Sequence, residues 1–413
     1  MKKTCLALVL LTIYFSAFSQ NEEDESNPRL GSADQVDNRL ELDKLVKQPV
    51  FELSFLGPYF DFKENLKERT GLSFSLDYTS IYFGSNAEIG EGRAGSGIFR
   101  FYGAWDLVGK KSGNTGALVY KLEHRHKYTA IPVSGLGLDM GFVGMIGPPY
   151  NDSGYRTQNL YWRQRFAKGR ATFVAGFLDV TDFFDVYGLA SPWMHFTNFN
   201  FSTGVAAVNV PNDGYLGAAV GGWLAKNVYA IVGFADQNGD PGNVFNGFET
   251  LFNTGEIFKH LEIGITSAKD FMLLDNMHVT LWHRDATSAT GDPSGWGVVL
   301  SGTKYIDEKL MPFFRFAYTQ DAGSFLQTAL AAGIGYQPVR GSHLFSAGYS
   351  YGVVNETTFA EGLSNQHLIE VFYRLQLSSR IAITPDVLFI INPALNDQQS
   401  SLFVWGFRGR LSL

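Results

Sequence analysis

From Gly71 to the C-terminus the chain alternates, and this confines it to sheet. Leu72, Phe74, Leu76 and Tyr78 interleave with Ser73, Ser75, Asp77 and Thr79. Phe99, Phe101 and Trp105 alternate with Arg100, Tyr102 and Asp106, and Leu118, Tyr120 and Leu122 oppose Lys121, Glu123, Arg125 and Lys127. Near the end, Phe403, Trp405, Phe407 and Leu411 interleave with Val404, Arg408, Arg410 and Ser412. Period two sends each set to its own side of a strand. Turn-rich stretches at 109–116, 147–154, 239–242 and 291–295 separate the runs. After residue 70 the only helical spacing is a loop helix expected near Phe248 to Lys259.

Two all-β architectures accept such a chain. A soluble sandwich or barrel turns its apolar side inward. A transmembrane barrel reverses this, with apolar and aromatic residues toward lipid and charged ones toward a wet lumen. Size decides between them, because residues 71–413 are too many for one small sandwich core. At about 21 residues per strand and turn they make roughly 16 antiparallel strands, in the porin range. The 45 glycines, 35 phenylalanines, 19 tyrosines and 7 tryptophans suit tight turns and aromatic girdles.

The N-terminal region divides in two. Lys2 and Lys3 precede an apolar run from Leu6 to Phe15, then small residues at Ala17 and Ser19, the pattern of a secretory signal over 1–19. The run is too short to span a bilayer as a helix. Residues 20–66 are expected to form a soluble periplasmic segment, with a short helix around Leu40, Leu42, Leu45 and Val46 before Pro49. The barrel domain is expected over 67–413. An exported barrel without apolar helices belongs in the outer membrane of a Gram-negative cell.

Other chemistry finds little support. The net charge of −7 gives no reason to expect a nucleic-acid partner. The lone Cys5 leaves disulfide and zinc scaffolds without ligands. Gly90-Glu-Gly-Arg-Ala-Gly95 matches a dinucleotide fingerprint but joins two strands, where a helix should follow. Gly348-Tyr-Ser-Tyr-Gly352 likewise lacks the helix of a nucleophile elbow. Asp236, Asn238 and Asp240 have calcium-loop spacing, yet Pro241 stands where glycine is needed and Gly247 where the bidentate glutamate belongs. His278 and His283 point to opposite faces of one strand. The reading is therefore a channel and not an enzyme, without cofactor or metal.

The charges of the early strands carry the functional signal. Asp77, Arg100, Lys121, Glu123, Arg125, Arg163 and Arg165 lie opposite the apolar stripes, with Tyr161 beside them. The bland reading is a solvated wall. The sharper one is a selective wall, where guanidinium forks and a carboxylate exchange hydrogen bonds with sugar hydroxyls and aromatics offer a flat apolar face. The summed charge of these residues is positive, which would disfavour small cations.

At these residues the chain resembles the carbohydrate-selective porins of the OprB type, from about residue 66 to the end. The resemblance rests on Gly71 to Thr79, Glu123-His-Arg125-His126, Tyr161-Trp-Arg163-Gln-Arg165-Phe166, and Gly176-Phe-Leu-Asp179 with Asp182-Phe-Phe-Asp185. It continues through Phe234 to Pro241, Gly335-Tyr-Gln-Pro338, and Thr384-Pro385-Asp386 followed by Asn392-Pro393. It implies a 16-stranded barrel, preceded by a short periplasmic segment, that passes small sugars such as glucose through an eyelet of arginines and acids. Its partners would be small sugars as solutes and outer-membrane lipid, with homo-oligomeric assembly allowed. Departures are Leu388 in place of glutamine, a terminal Leu413, and His-Arg-His-Lys around Arg125. An anion-selective or general-diffusion porin, a plugged structural barrel and an outer-membrane enzyme are the alternatives.

Overall fold

The computed structural model describes residues 30–413 except 47, 111, 112, 212 and 268, so the expected signal segment and the start of the expected periplasmic segment lie outside the described residues. Sixteen strands close into one antiparallel barrel in which each pairs with its sequence neighbours. They are β1 (Leu72–Ser85), β2 (Arg93–Val108), β3 (Gly116–Lys127), β4 (Gly154–Phe166), β5 (Ala171–Asp179), β6 (Gly214–Trp223), β7 (Val228–Asp236) and β8 (Ile257–Thr266). The second half runs β9 (Asn276–Arg284), β10 (Gly295–Thr303), β11 (Leu310–Asp321), β12 (Leu326–Tyr336), β13 (Leu344–Val354), β14 (Gln366–Gln376), β15 (Ile381–Ile391) and β16 (Ser401–Ser412). Closure comes from β1 against β16, with Tyr82 opposite Phe407 and Tyr78 opposite Leu411. A closed sheet leaves no unpaired edge, which a span of hydrocarbon requires.

The facing follows the alternation. Phe403, Trp405, Phe407 and Leu411 are exposed on the outside while Val404, Arg408 and Arg410 are buried inside. Burial is thus inverted relative to a soluble protein, because the outer apolar belt is made for lipid. Among the described residues no helix is long and apolar enough to cross a membrane. Turns at the end where β1 begins and β16 finishes, the terminal end, are short, and the longest connections, 128–153 and 180–213, emerge at the opposite end.

These two connections fold back into the barrel. Val133, Leu136, Met140, Phe142, Phe183, Phe184, Tyr187, Phe196 and Phe201 are all buried in one apolar cluster with lumen-facing wall residues. Phe196 stacks on Phe201 at 4.5 Å and meets Phe372 of β14 edge-on at 5.0 Å. Such apolar connections would be unstable in water, and the lumen is the nearest place to bury them.

The N-terminal segment enters from the terminal end. Helix α1 (Val36–Leu42) starts at Gln35, whose side chain accepts from the Asn38 N–H, and Val36, Asn38 and Arg39 are buried within the lumen. Leu45 then crosses the turn at Gly341 so closely that a Cβ there would meet the Leu45 carbonyl oxygen, and Gly341 has φ +83°. Helix α2 (Gly57–Thr70) lies by the 377–380 turn, with Arg380 3.5 Å from the Phe60 ring centroid. Gly71, at φ +83°, caps it and turns the chain into β1. Of the segment expected to be periplasmic, residues 30–46 lie inside the barrel. The helix expected around Leu40 to Val46 begins earlier, capped by Gln35, and ends at Asp43, whose N–H donates to the Arg39 carbonyl. The loop helix expected near Phe248 to Lys259 is α3 (Asn246–Thr254), and β8 claims the remainder.

Candidate functional site

Each wall residue singled out in the sequence lies on the lumen side of its strand, and each is engaged. Arg100 donates to Asp77 through Nε at 2.7 Å and Nη2 at 2.5 Å, and its guanidinium lies 3.9 Å from the Trp193 ring centroid. Lys121 reaches Asp182 and the Asp34 carbonyl, both at 3.3 Å. Arg125 pairs with Glu123 at 2.8 Å and with Asp213 at 3.0 Å. Arg163 bridges Asp37 of α1 and Asp106, the latter at 2.8 Å, while Arg165 reaches Asp37 at 3.2 Å. The Tyr161 hydroxyl accepts from Gln35 at 3.4 Å, and its ring meets Phe183 edge-on. The positive excess of the strand residues alone is offset by carboxylates that the N-terminal segment and the folded-in connection carry to them.

These residues separate into two groups. Lys121, Glu123 and Arg125 line a cavity of about 80 Å³ toward the end with the long connections, beside Trp193, Asp182 and Ser191. Arg100, Arg163, Arg165 and Tyr161 instead hold the inserted segment and connection in place, and Asp77 fixes Arg100 and Arg410 on the wall behind them.

A larger cavity, of about 520 Å³, opens toward the terminal end, and none of the early-strand residues lines it. Its cations are Arg39, Lys269, Arg340, Arg374, Arg380 and Arg410, against the carboxylates Glu41, Asp43 and Asp270. Ala33 lines both cavities, so the inserted segment runs between them. Burial alone would raise the Asp43 carboxyl, but Arg39 and Arg410 hold it well below the usual carboxylate range. His195, in the folded-in connection, is pushed well below the ordinary imidazole range by burial and by Arg374, Arg39 and Arg408.

Sequence reasoning missed Arg374 and Arg39. Arg374 had a signal: Leu368, Glu370, Phe372 and Arg374 share one face of β14 by period two. Arg39 had none, since nothing in a short polar helix says that it enters a barrel.

The later strands fasten the 180–213 connection. Arg315 of β11 pairs with Asp185 and donates to the Ser202 carbonyl at 2.7 Å, while His278 meets Asp185 at 3.0 Å. Glu370 accepts from the Thr197 and Asn198 N–H groups at 2.5 and 3.0 Å, and Asp386 from the Thr197 hydroxyl at 3.2 Å. Arg408 donates to the carbonyls of Pro192 and His195 at 2.5 and 2.9 Å. The Ser350 hydroxyl takes a bond from Asn200 within β13, a strand environment. Asp236 accepts from Thr250 at 2.5 Å and Asn238 donates to Glu256 at 2.5 Å, so the calcium-spaced oxygens serve the loop.

Residues 287–413 match the model of the carbohydrate-selective porin, OprB family. The comparison with curated proteins finds no match. Among solved structures, the high-pH structure of Pseudomonas putida OprB superposes with a TM-score of 0.69 at 14% identity, over 86% of this chain and 97% of that one. The low-pH structure of the same protein gives 0.54 at 12% identity, over 89% and 100%. A mutant of Rh. blastica porin gives 0.52 at 10% identity, over 83% and 100%. At these identities the structures establish a shared porin barrel.

Proposed function

We propose that this barrel passes small carbohydrates down their gradient across the outer membrane of a Gram-negative bacterium, as a diffusion channel and not an enzyme. The observation that carries this reading is the match of residues 287–413 to the carbohydrate-selective porin family, within a 16-stranded porin barrel.

The wall chemistry supports it. Sugars present neighbouring hydroxyls, each both donor and acceptor, so a wall that recognises them needs both kinds of partner side by side. Arg125 and Lys121 supply donors, Glu123 supplies acceptors, and Trp193 adds a flat ring at the same cavity. Arg100, Arg163, Arg165 and Tyr161 shape the passage by holding the segment and connection that narrow it, and Asp77 fixes Arg100 behind them. Contacts of this kind are weak enough to release the solute, as conduction requires.

The test is swelling of liposomes containing the purified full-length protein, with sugars of increasing size beside size-matched charged solutes. Swelling should be fast for monosaccharides and fall with solute size. Monosaccharide entry no faster than in protein-free liposomes would overturn the reading.

A further inference from the structure

The larger cavity holds more cationic donors than its acids can satisfy. Arg39 uses Nη2 on Asp43 at 2.9 Å, yet its Nε and Nη1 are buried without a hydrogen-bond partner. Arg374, 7% exposed, donates from Nη1 to His195 Nε2 at 3.4 Å and sits 3.5 Å from the Ser342 carbonyl through Nη2. Its Nε has no partner, and among the described residues no carboxylate is within ion-pair distance of it. A guanidinium only donates, so His195 Nε2 must accept and its Nδ1 carries the proton. That Nδ1 is a further buried donor without a partner.

Buried donors left unmatched are costly, and a protein keeps them where something else completes them. Here the missing partner must be an acceptor with negative charge, because the lining cations outnumber the carboxylates. Guanidinium forks match the oxygens of phosphate and carboxylate groups. A cavity of about 520 Å³ also has room for more than a bare ion.

The geometry points to a binding site for a monosaccharide bearing an anionic group, phosphate or carboxylate, held by Arg39, Arg374 and His195 at the terminal end of the lumen. This rests on the carbohydrate-channel reading and narrows its solute class. The unpartnered donors take the anionic oxygens, while Gln337 and Gln376, which also line the cavity, face the sugar hydroxyls.

The test is single-channel recording on the full-length protein in planar bilayers, with glucose, gluconate or glucose 6-phosphate added at matched ionic strength. At least one anionic sugar should reach half-block at a concentration about tenfold below that of glucose, as one charge-assisted contact implies. Preference for one over the other separates phosphate from carboxylate chemistry. Arg374→Gln should bring the ratio of anion to glucose half-block toward unity. Arg39→Gln, which lies off the barrel wall and so spares assembly, should do the same. Equal block by glucose and both anionic sugars overturns this site while leaving the carbohydrate channel standing, as does an anion preference unmoved by both variants. No block by any of the three, with no monosaccharide entry in the swelling assay, overturns both.

Discussion

The Asp43 carboxylate takes two hydrogen bonds from Arg410, at 2.9 and 2.8 Å, and so fastens the N-terminal segment to the last strand of the barrel. Arg39 and the Tyr102 hydroxyl reach the same carboxylate, at 2.9 and 3.0 Å. Asp43→Asn keeps the shape and removes the charge, leaving the buried Arg39 guanidinium without its carboxylate and Arg410 with Asp77 alone. Loss of one partner of a buried pair costs about 3–5 kcal/mol. The segment should undock, read as protease sensitivity within 30–46, while heat-modifiable gel mobility still reports an assembled barrel.

Deleting residues 30–46 should raise single-channel conductance severalfold, because the segment runs between the two cavities. The barrel itself should persist, since every strand pairs only with other strands. Conductance equal to that of the intact chain would show that solutes pass beside the segment.

Outside the barrel, Trp405 is 48% exposed and faces lipid, while Arg408 is buried in the lumen. Trp405→Arg should cost about 2–4 kcal/mol near the bilayer midplane. Arg408→Gln keeps a donor for the carbonyls of the folded-in connection and should assemble far better. Equal assembly of the two variants on heat-modifiable gels would mean the facing is reversed.

Acid should loosen the folded-in connection through His195. Burial, followed by Arg374, Arg39 and Arg408, depresses its folded-state pKa. The unfolded imidazole titrates near pH 6.5, so below that pH the unpacked state binds more protons than the packed one. Packing is therefore weakened progressively as pH falls from about 6.5 toward the depressed value. Open-channel current noise should rise between pH 7 and pH 5, and His195→Asn, which cannot titrate, should remove that rise.

Much of this protein was legible from residue order alone. Period two is a local property, so the facing of Asp77, Arg100, Glu123 and Arg410 followed without knowing any partner. Strand number followed from the length of the alternating region, and closure from the need to satisfy backbone groups in lipid. The pairing of those lumen charges was not legible. Whether Arg163 meets sugar or Asp37, and whether Arg100 meets water or Trp193, depends on where residues 30–46 and 180–213 go. Those segments carry no periodicity that aims them, and apolar residues such as Phe184 and Phe196 need burial without specifying against which wall. Only closure of the barrel created a lumen that could bury them, and only the docked segments decided which arginines were neutralised and which, like Arg374, were left with donors to spare.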